Sequence, residues 1–393
     1  MRAFIVVNSL GTGGTERSLS EFLPYLLRAG HQATLIAFRA RPDGVESALR
    51  REGHDIHLLD GSKLRRLRAL RKLIVTIKPD LVHTSLFEAD IIGRVASAFT
   101  VPVLTSLVNQ PYHVSRTLDP NVRRWRLHAA RLLDGSTARH LSRHFHAVTQ
   151  SVKQFYVQDM GFPASRITVV ERGRDRKRLG VNTPQRRQMA RMALNISPEA
   201  PVIVNVGRHE FQKGQRDLVR AFSVVHERMP ASRLITVGRT GNATRDLHAL
   251  VDSLGLTSSV TFLGHREDVP DLLCAADVFA FPSLFEGIGG AALEAMALRL
   301  PIVTTPTMEG TVHHDQTALV VPAGDYKALA EGILALLRTP AWGERLAAAA
   351  ERAFEQRFAL EPASQKLIEL YERTANMAPM PCRIPFASRG DLA

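Results

Sequence analysis

Short apolar runs alternate along this chain with longer stretches whose apolar positions recur at helical spacing. The runs Ala3–Val7, Gln32–Phe38, Asp55–Leu59, Asp80–His83, Val101–Ser106, His144–Thr149 and Ile167–Val170 predict strands. The stretches between most of them predict helices, as in Glu16–Ala29, which stops at Gly30, a residue suited to a left-handed cap. From Arg172 to Ser197 the rhythm breaks into a polar, arginine-rich segment with Gly173, Gly180 and Pro184. It restarts with strands expected at Val202–Val206, Arg233–Val237, Val260–Leu263, Val278–Phe281, Ile302–Thr305 and Ala318–Val321, and the pattern is helical from Tyr326 to Arg373.

Strand–helix alternation of this kind predicts an α/β fold of parallel, doubly wound sheets. At 393 residues the chain is too long for one ordinary core, so two Rossmann-like domains facing a cleft are expected. The boundaries read as a first domain over 1–180, a linker with a short helix over 181–197, a second domain over 198–358, a last helix over 359–376, and a disordered tail over 377–393. A ligand should sit at the carboxyl edges of the strands.

Composition narrows the class. No apolar run approaches the roughly 18 residues that span a bilayer, and the start Met1–Asn8 reads as a strand rather than a signal peptide. Only Cys274 and Cys382 are present, which implies no disulfide framework and a reducing cytoplasm. The excess of 51 Lys+Arg over 38 Asp+Glu calls for an anionic partner. Much of it falls in two stretches. Residues 62–73 space Leu64, Leu67, Leu70 and Leu73 among cations, and residues 123–143 hold six arginines. Each fits either a basic amphipathic helix lying on an anionic membrane or a solvated helix whose leucines face its own core.

Three glycine-rich loops carry the chemistry. The first, Ser9–Glu16, follows the first strand, and its Gly13 and Gly14 permit close backbone approach. It fails the dinucleotide fingerprint, because Glu16 stands where a glycine or alanine belongs and no ribose-binding acid ends the next strand. The second loop, Gly207–Gly214, offers Arg208 as a planar fork and Lys213 as a point charge, both able to reach anionic oxygens. In the third, Glu286 and Glu294 flank Gly287, Ile288, Gly289 and Gly290 at a helix start, with Glu294 about two turns into the helix. Uncovered N–H groups at such a start attract phosphate. A carboxylate on each side of an anion seat suits a ligand with hydroxyls at both ends of a diphosphate, such as a nucleotide sugar. A glycosidase pair also places two carboxylates about a sugar but has no diphosphate to hold. His140, His144 and His146, like His313 and His314, have partial metal-ligand spacing with no acid or cysteine to complete a set, so they read as surface or loop histidines and no metal is expected.

In this order, Gly13-Gly14-x-Glu16, Gly207-Arg208-x4-Lys213-Gly214 and Glu286-x7-Glu294 resemble the retaining, nucleotide-sugar-dependent glycosyltransferases of family 4, with the GT-B fold. Supporting stretches at Ile167–Asp175, Val260–Gly264, Ala276–Ser283 and Leu319–Asp325 extend the resemblance over nearly all of 1–375. The resemblance implies a first domain that binds the acceptor, a second that binds the donor, and a C-terminal helix crossing back to the first. It implies that Gly14 faces the donor phosphate, that Arg208 and Lys213 neutralise the diphosphate, and that Glu286 with the backbone of 287–290 grips the transferred sugar. Glu294 would take the ribose hydroxyls, and His265 and Arg266 would lie by the base. Family members often carry a histidine in the loop after the strand at Val101–Ser106. Val108 stands there in this chain, which leaves Asn109 and His113 as candidates for its role. The usual proline-glutamate before the late loop is also displaced, to Glu309.

The function so implied is transfer of a hexose from a UDP- or GDP-sugar to a glycan or lipid-linked acceptor with retention, in cell-envelope polysaccharide or lipopolysaccharide synthesis. No cofactor, metal or nucleic-acid partner is expected, and the location is cytoplasmic or peripheral on the inner membrane face. An epimerase or hydrolase on the same fold, or a non-catalytic membrane-attached nucleotide-sugar binder, are the competing readings. Free sugar released without acceptor would favour a hydrolase.

Overall fold

The computed structural model describes residues 1–41 and 44–381. The part of the expected tail from 382 to 393, including Cys382, lies outside the described residues, and residues 377–381 form no helix or strand.

The first half runs β1 (Arg2–Val7), α1 (Gly14–Arg28), β2 (Gln32–Ala37), α2 (Glu46–Arg51), β3 (Asp55–Leu58), α3 (Lys63–Ile77) and β4 (Leu81–Ser85). It continues with α4 (Phe87–Ser97), β5 (Val103–Leu107), α5 (Arg124–Leu141), β6 (His144–Ala147), α6 (Gln150–Gln158) and β7 (Ile167–Val169). Two short helices follow, α7 (Arg176–Leu179) and α8 (Pro184–Ala193). The second half begins β8 (Val202–Val206), α9 (Gln215–Arg228), β9 (Arg233–Val237), α10 (Thr244–Ser253), β10 (Val260–Phe262) and α11 (Val269–Cys274). It ends β11 (Val278–Phe281), α12 (Gly290–Ala297), β12 (Ile302–Thr304), β13 (Leu319–Val320), α13 (Tyr326–Arg338), α14 (Pro340–Arg357) and α15 (Leu360–Ala375).

All pairings are parallel. The first sheet has the order β3-β2-β1-β4-β5-β6-β7 and the second β10-β9-β8-β11-β12-β13. Strands covered by helices on both faces must be apolar throughout, and β1, β4, β5 and β11 are buried over almost their whole length. In each sheet the order reverses once, between β1 and β4 and between β8 and β11. The loops after β1, β8 and β11 leave the strand ends at these switch points, where a doubly wound sheet opens a crevice. The three glycine-rich loops are the loops at these positions.

The sheets therefore match the expected architecture, and the differences are local. The expected linker is not a free connector. Within it, α8 sends Arg187 and Arg191 to Asp277 at 2.6 and 2.8 Å, and Asp277 Oδ2 also accepts the Val202 N–H. Two guanidinium groups and a backbone N–H on one carboxylate fasten that segment to the start of β8 and β11. His144 and His146 are core residues of β6, not surface histidines. Helix α12 begins at Gly290, so Glu294 stands one turn in, not two.

The chain crosses between domains twice. Residues 173 and 174 run beside 358–360, where Arg174 N–H donates to Phe358 O at 2.9 Å and a parallel bridge joins Arg174 to Ala359. Helix α15 then lies on α1, burying Ile368, Leu370 and Tyr371 with Leu19, Phe22 and Leu23 of the first domain. This is the crossing back expected from the family resemblance. One apolar cluster continues through the domain boundary from Leu107 and Val148 to Phe281 and Ile288.

Candidate functional site

The site is built on the loop that leaves β11. Gly289 adopts a left-handed φ of 64°, which a side chain would strain, and so turns the chain sharply into α12. Among the described residues, nothing accepts from the N–H groups of Ile288, Gly289 and Gly290. Uncapped N–H groups at the positive end of a helix form a seat for an anion.

Glu286 stands just before this mouth. Its Oε1 accepts from the Gly287 N–H at 3.0 Å, and its Oε2 is paired with Lys213 Nζ. Lys213 comes from the loop after β8, with its ammonium 5.5 Å from the centre of the Phe281 ring. That loop is pinned from beneath. Gln215 donates to Asn205 Oδ1 and Gly207 O at 2.9 and 3.1 Å, and Asn205 donates to Ala280 O of β11 at 2.9 Å. Arg208 projects outward, its side chain 57% exposed and 3.7 Å from Glu210. His209 beside it is buried against Phe262, and burial lowers its pKa, leaving it neutral.

The first domain supplies the other wall. Gly13 is the N-cap of α1, and nothing stands within 4 Å of where a Gly14 side chain would begin. The loop after β5 touches the second domain directly, since Val108 O leaves no room for a Cβ on Gly287. Thr149 Oγ1 adds a hydrogen bond to Gly287 O at 3.3 Å. On that loop Asn109 is half-buried, and the His113 ring lies 6.4 Å from Phe285, next to Glu286. Tyr112 anchors the loop by donating to Asp134 at 3.0 Å, which pairs with buried Arg94 at 2.6 Å.

The other sequence candidates stand apart. His265 is exposed on the loop after β10, and Arg266 there donates from Nε and Nη2 to the two oxygens of Asp268 at 2.8 and 2.6 Å. Among the described residues no three His, Cys, Asp or Glu side chains gather where they could hold a metal ion. His144 reaches Thr168, and His146 belongs to a buried chain described below.

Glu294 has partners that sequence reasoning missed. It is 2% exposed, and its Oε1 meets Arg17 Nη1 at 2.9 Å and Arg174 Nε at 3.4 Å. Both arginines also reach Glu21, at 3.3 and 3.4 Å. The four side chains close a ring of alternating charge that joins α1, the crossing segment and α12. Its one trace in the sequence is the i, i+4 spacing of Arg17 and Glu21, a common pattern on any exposed helix.

Two family models match the chain: "Glycosyltransferase Family 4" over residues 12–178 and "Glycosyl transferases group 1" over residues 200–339. The D-inositol 3-phosphate glycosyltransferase of Corynebacterium urealyticum is 33% identical over 225 residues, covering 54% of this chain and 52% of that protein. The lipopolysaccharide core biosynthesis glycosyltransferase LpsD of Rhizobium meliloti is 31% identical over 188 residues, 47% of this chain and 53% of its own length. The chain thus spans about half the length of these curated relatives. Among solved structures, Anabaena HepE in complex with UDP-glucose superposes with a TM-score of 0.83 at 21% identity, over 95% of this chain and all of that one. That likeness establishes the fold. No helix among the described residues is long and apolar enough to cross a membrane.

Proposed function

Since this chain belongs to the family 4, group 1 glycosyltransferases, we propose that it moves a hexose from a UDP- or GDP-sugar to a glycan or lipid-linked acceptor with retention of configuration. The observation that carries the reading is the convergence of Lys213, Glu286 and the open mouth of α12 at the second domain's switch point, with the first turn of α1 held to α12 by Arg17 and Glu294. The relatives and the solved neighbour support the choice of donor, because one neighbour holds UDP-glucose and several relatives are named as glycosyltransferases.

In this reading the bond between the sugar's anomeric carbon and the diphosphate breaks, and charge collects on the leaving diphosphate. Arg208, Lys213 and the three free N–H groups are electrostatic stabilisers, strongest when the closed cleft excludes water. Lys213 and Glu286 neutralise one another between two neighbouring loops of the second domain. The donor separates them, with the ammonium turning to the diphosphate and the carboxylate to the sugar hydroxyls. The acceptor oxygen attacks from the face the diphosphate leaves, which retains configuration, and its proton passes to a phosphate oxygen of the leaving group.

The acceptor reading rests on the first domain. The segment from Val114 to Leu133 carries Val114, Leu118, Trp125, Leu132 and Leu133 in the open, Trp125 at 65% exposure, beside Arg123, Arg124 and Arg126. Exposed apolar groups among cations suit an anionic membrane surface and a membrane-borne acceptor in envelope glycan or lipopolysaccharide synthesis. The location is then cytoplasmic, at the inner membrane face. The test is a panel of nucleotide sugars screened by thermal shift and then incubated with candidate lipid-linked glycans. A rise in melting temperature with one donor, followed by acceptor-dependent transfer, is expected. Sugar released to water at the same rate with and without acceptor would make the protein a hydrolase instead.

A further inference from the structure

The ring Arg17–Glu21–Arg174–Glu294 lies at the anion seat, and one member of it has an unfinished set of bonds. Arg174 is 2% exposed. Its Nη1 donates to Ser18 Oγ, Gly173 O and Glu21 Oε2 at 3.0, 3.1 and 3.4 Å. Its Nε is buried and forms no hydrogen bond, although it lies 3.4 Å from Glu294 Oε1 at an angle that leaves the pair Coulombic. Its Nη2 rests on the first residue of α12 and fills the space a Cβ on Gly290 would need. A guanidinium presents five N–H groups in a planar fork and is costly to bury with donors unused. Here its unused edge is turned to the helix mouth whose own N–H groups have no acceptor.

The surrounding charge has the same sense. Arg172, two residues away, is pulled down to about 10 by burial and then by the Arg174 charge. Arg178 adds a fourth guanidinium, 4.0 Å from Glu21. Three arginines, Arg17, Arg174 and Arg178, therefore gather about Glu21 and Glu294, with Arg172 beside Arg174 and facing Glu16. Arg17 and Arg174 share the single oxygen Oε1 of Glu294.

We infer that Arg174 is a third cation for the donor's diphosphate, and that donor binding exchanges its partner. Glu294 passes from the arginines to the ribose hydroxyls, and Arg174, without leaving the mouth of α12, passes from Glu294 to the phosphate oxygens. Arg17 remains with Glu21. The inference rests on the nucleotide-sugar reading above and adds to it a residue outside the three glycine-rich loops. An exchange of this kind links the donor to closure, since Arg174 is fixed to the crossing segment and Glu294 to the second domain.

The test is calorimetric titration of the full chain with UDP or GDP, whichever the wild type binds, and with the matching nucleoside. For Arg174→Gln, affinity for the diphosphate should fall roughly tenfold or more, the scale of one charge-assisted hydrogen bond, while affinity for the nucleoside changes little. Arg174→Lys should recover part of the loss. Equal losses on diphosphate and nucleoside, or no loss on either, would overturn the inference. If Arg174→Gln does not fold, Glu294→Gln gives an independent reading with inorganic pyrophosphate as the probe. Freed from its carboxylate, Arg174 should bind pyrophosphate several-fold more tightly than in the wild type, and unchanged or weaker binding would overturn the inference. A wild type that binds no nucleotide at all would instead sink the nucleotide-sugar reading itself.

Discussion

Lys213 and Arg208 differ in how they are held, and that difference sets what their loss should do. Arg208 is more than half exposed with one distant carboxylate, so Arg208→Ala should leave the melting temperature nearly unchanged. Lys213→Ala leaves Glu286 without its cation, yet the pair sits at the cleft edge and Glu286 keeps the Gly287 N–H, so only a small fall is expected. In both variants kcat should drop about 10²-fold or more, the scale of removing one electrostatic stabiliser of the leaving group. Steady-state rates beside thermal melts check this, and near-normal turnover in both variants would sink the mechanism. These residues were legible because loop glycines and cations stand within a few positions of one another. Arg174 and Arg17 were not, because their meeting with Glu294 joins positions 120 and 277 residues apart and depends on how two domains close.

The two basic stretches looked alike in sequence and fold into helices of different character. In α3, Leu70 and Ile74 are buried and Leu67, Leu73 and Ile77 pack against the same core. Arg66 is bound to Glu88 at 2.5 Å, and Arg71 reaches Ala96 O at 2.8 Å. Helix α3 is thus a cover of its own sheet, the plainer of the two readings, with only Leu64 fully open among its leucines. Helix α5 buries just Asp134, Gly135 and Ala138 and leaves Trp125, Leu132 and Leu133 exposed. Leucine spacing cannot tell these cases apart, because a stripe that faces a sheet and one that faces outward share a period. Membrane binding, if it occurs through this domain, should therefore follow α5. The fluorescence of Trp125 should blue-shift with anionic vesicles and recover in high salt, and Trp125→Ala should weaken binding more than a charge-reversing change at Arg68 of α3. Binding that ignores both α5 and ionic strength would remove the membrane reading.

At the scale of the whole molecule, a buried polar chain ties the last helix to the first sheet. His146 Nε2 donates to Val170 O at 2.8 Å, so its Nδ1 accepts from Ser106, at 2.8 Å. Ser106 in turn accepts from His83 Nε2 at 2.6 Å, and His83 Nδ1 accepts from Tyr371 of α15, also at 2.6 Å. With both rings held neutral by burial, the carbonyl at one end fixes the direction of every hydrogen bond in the chain. Burial first, then the neighbouring His146 and Arg172, hold His83 down to about 3; burial holds His146 down to about 4. In the unfolded chain both titrate near 6.5. Their contribution is therefore complete above about pH 6.5, and it is lost as pH falls from there through about 4 and 3, because the unfolded chain binds protons that the folded chain refuses. Urea unfolding should show stability falling between about pH 7 and pH 5, by as much as ~1.4 kcal/mol per pH unit for each ring. A flat profile there would contradict the neutral chain.

The two parallel, doubly wound sheets were legible in the alternation of apolar runs and helical stretches, since a strand buried on both faces can be built in few other ways. The order of strands within each sheet came only with the structure. The fastening of α8 was not legible either, because Arg187 and Arg191 look like any solvated cations until Asp277 is brought beneath them. The paired crossings at 173–174 and 358–360 have a consequence for how such a molecule changes over time. The second domain is an insertion in the first, entered and left through two adjacent segments joined by the Arg174–Phe358 hydrogen bond. A single cut between the domains would strip α15 from Phe22 and His83 and leave the first domain with an uncovered face. A donor half could be exchanged between relatives only as a cassette with two matched junctions. Each graft would carry its own Glu294 to an Arg17 it had not been selected with, so the two ends of the ring are expected to be inherited together.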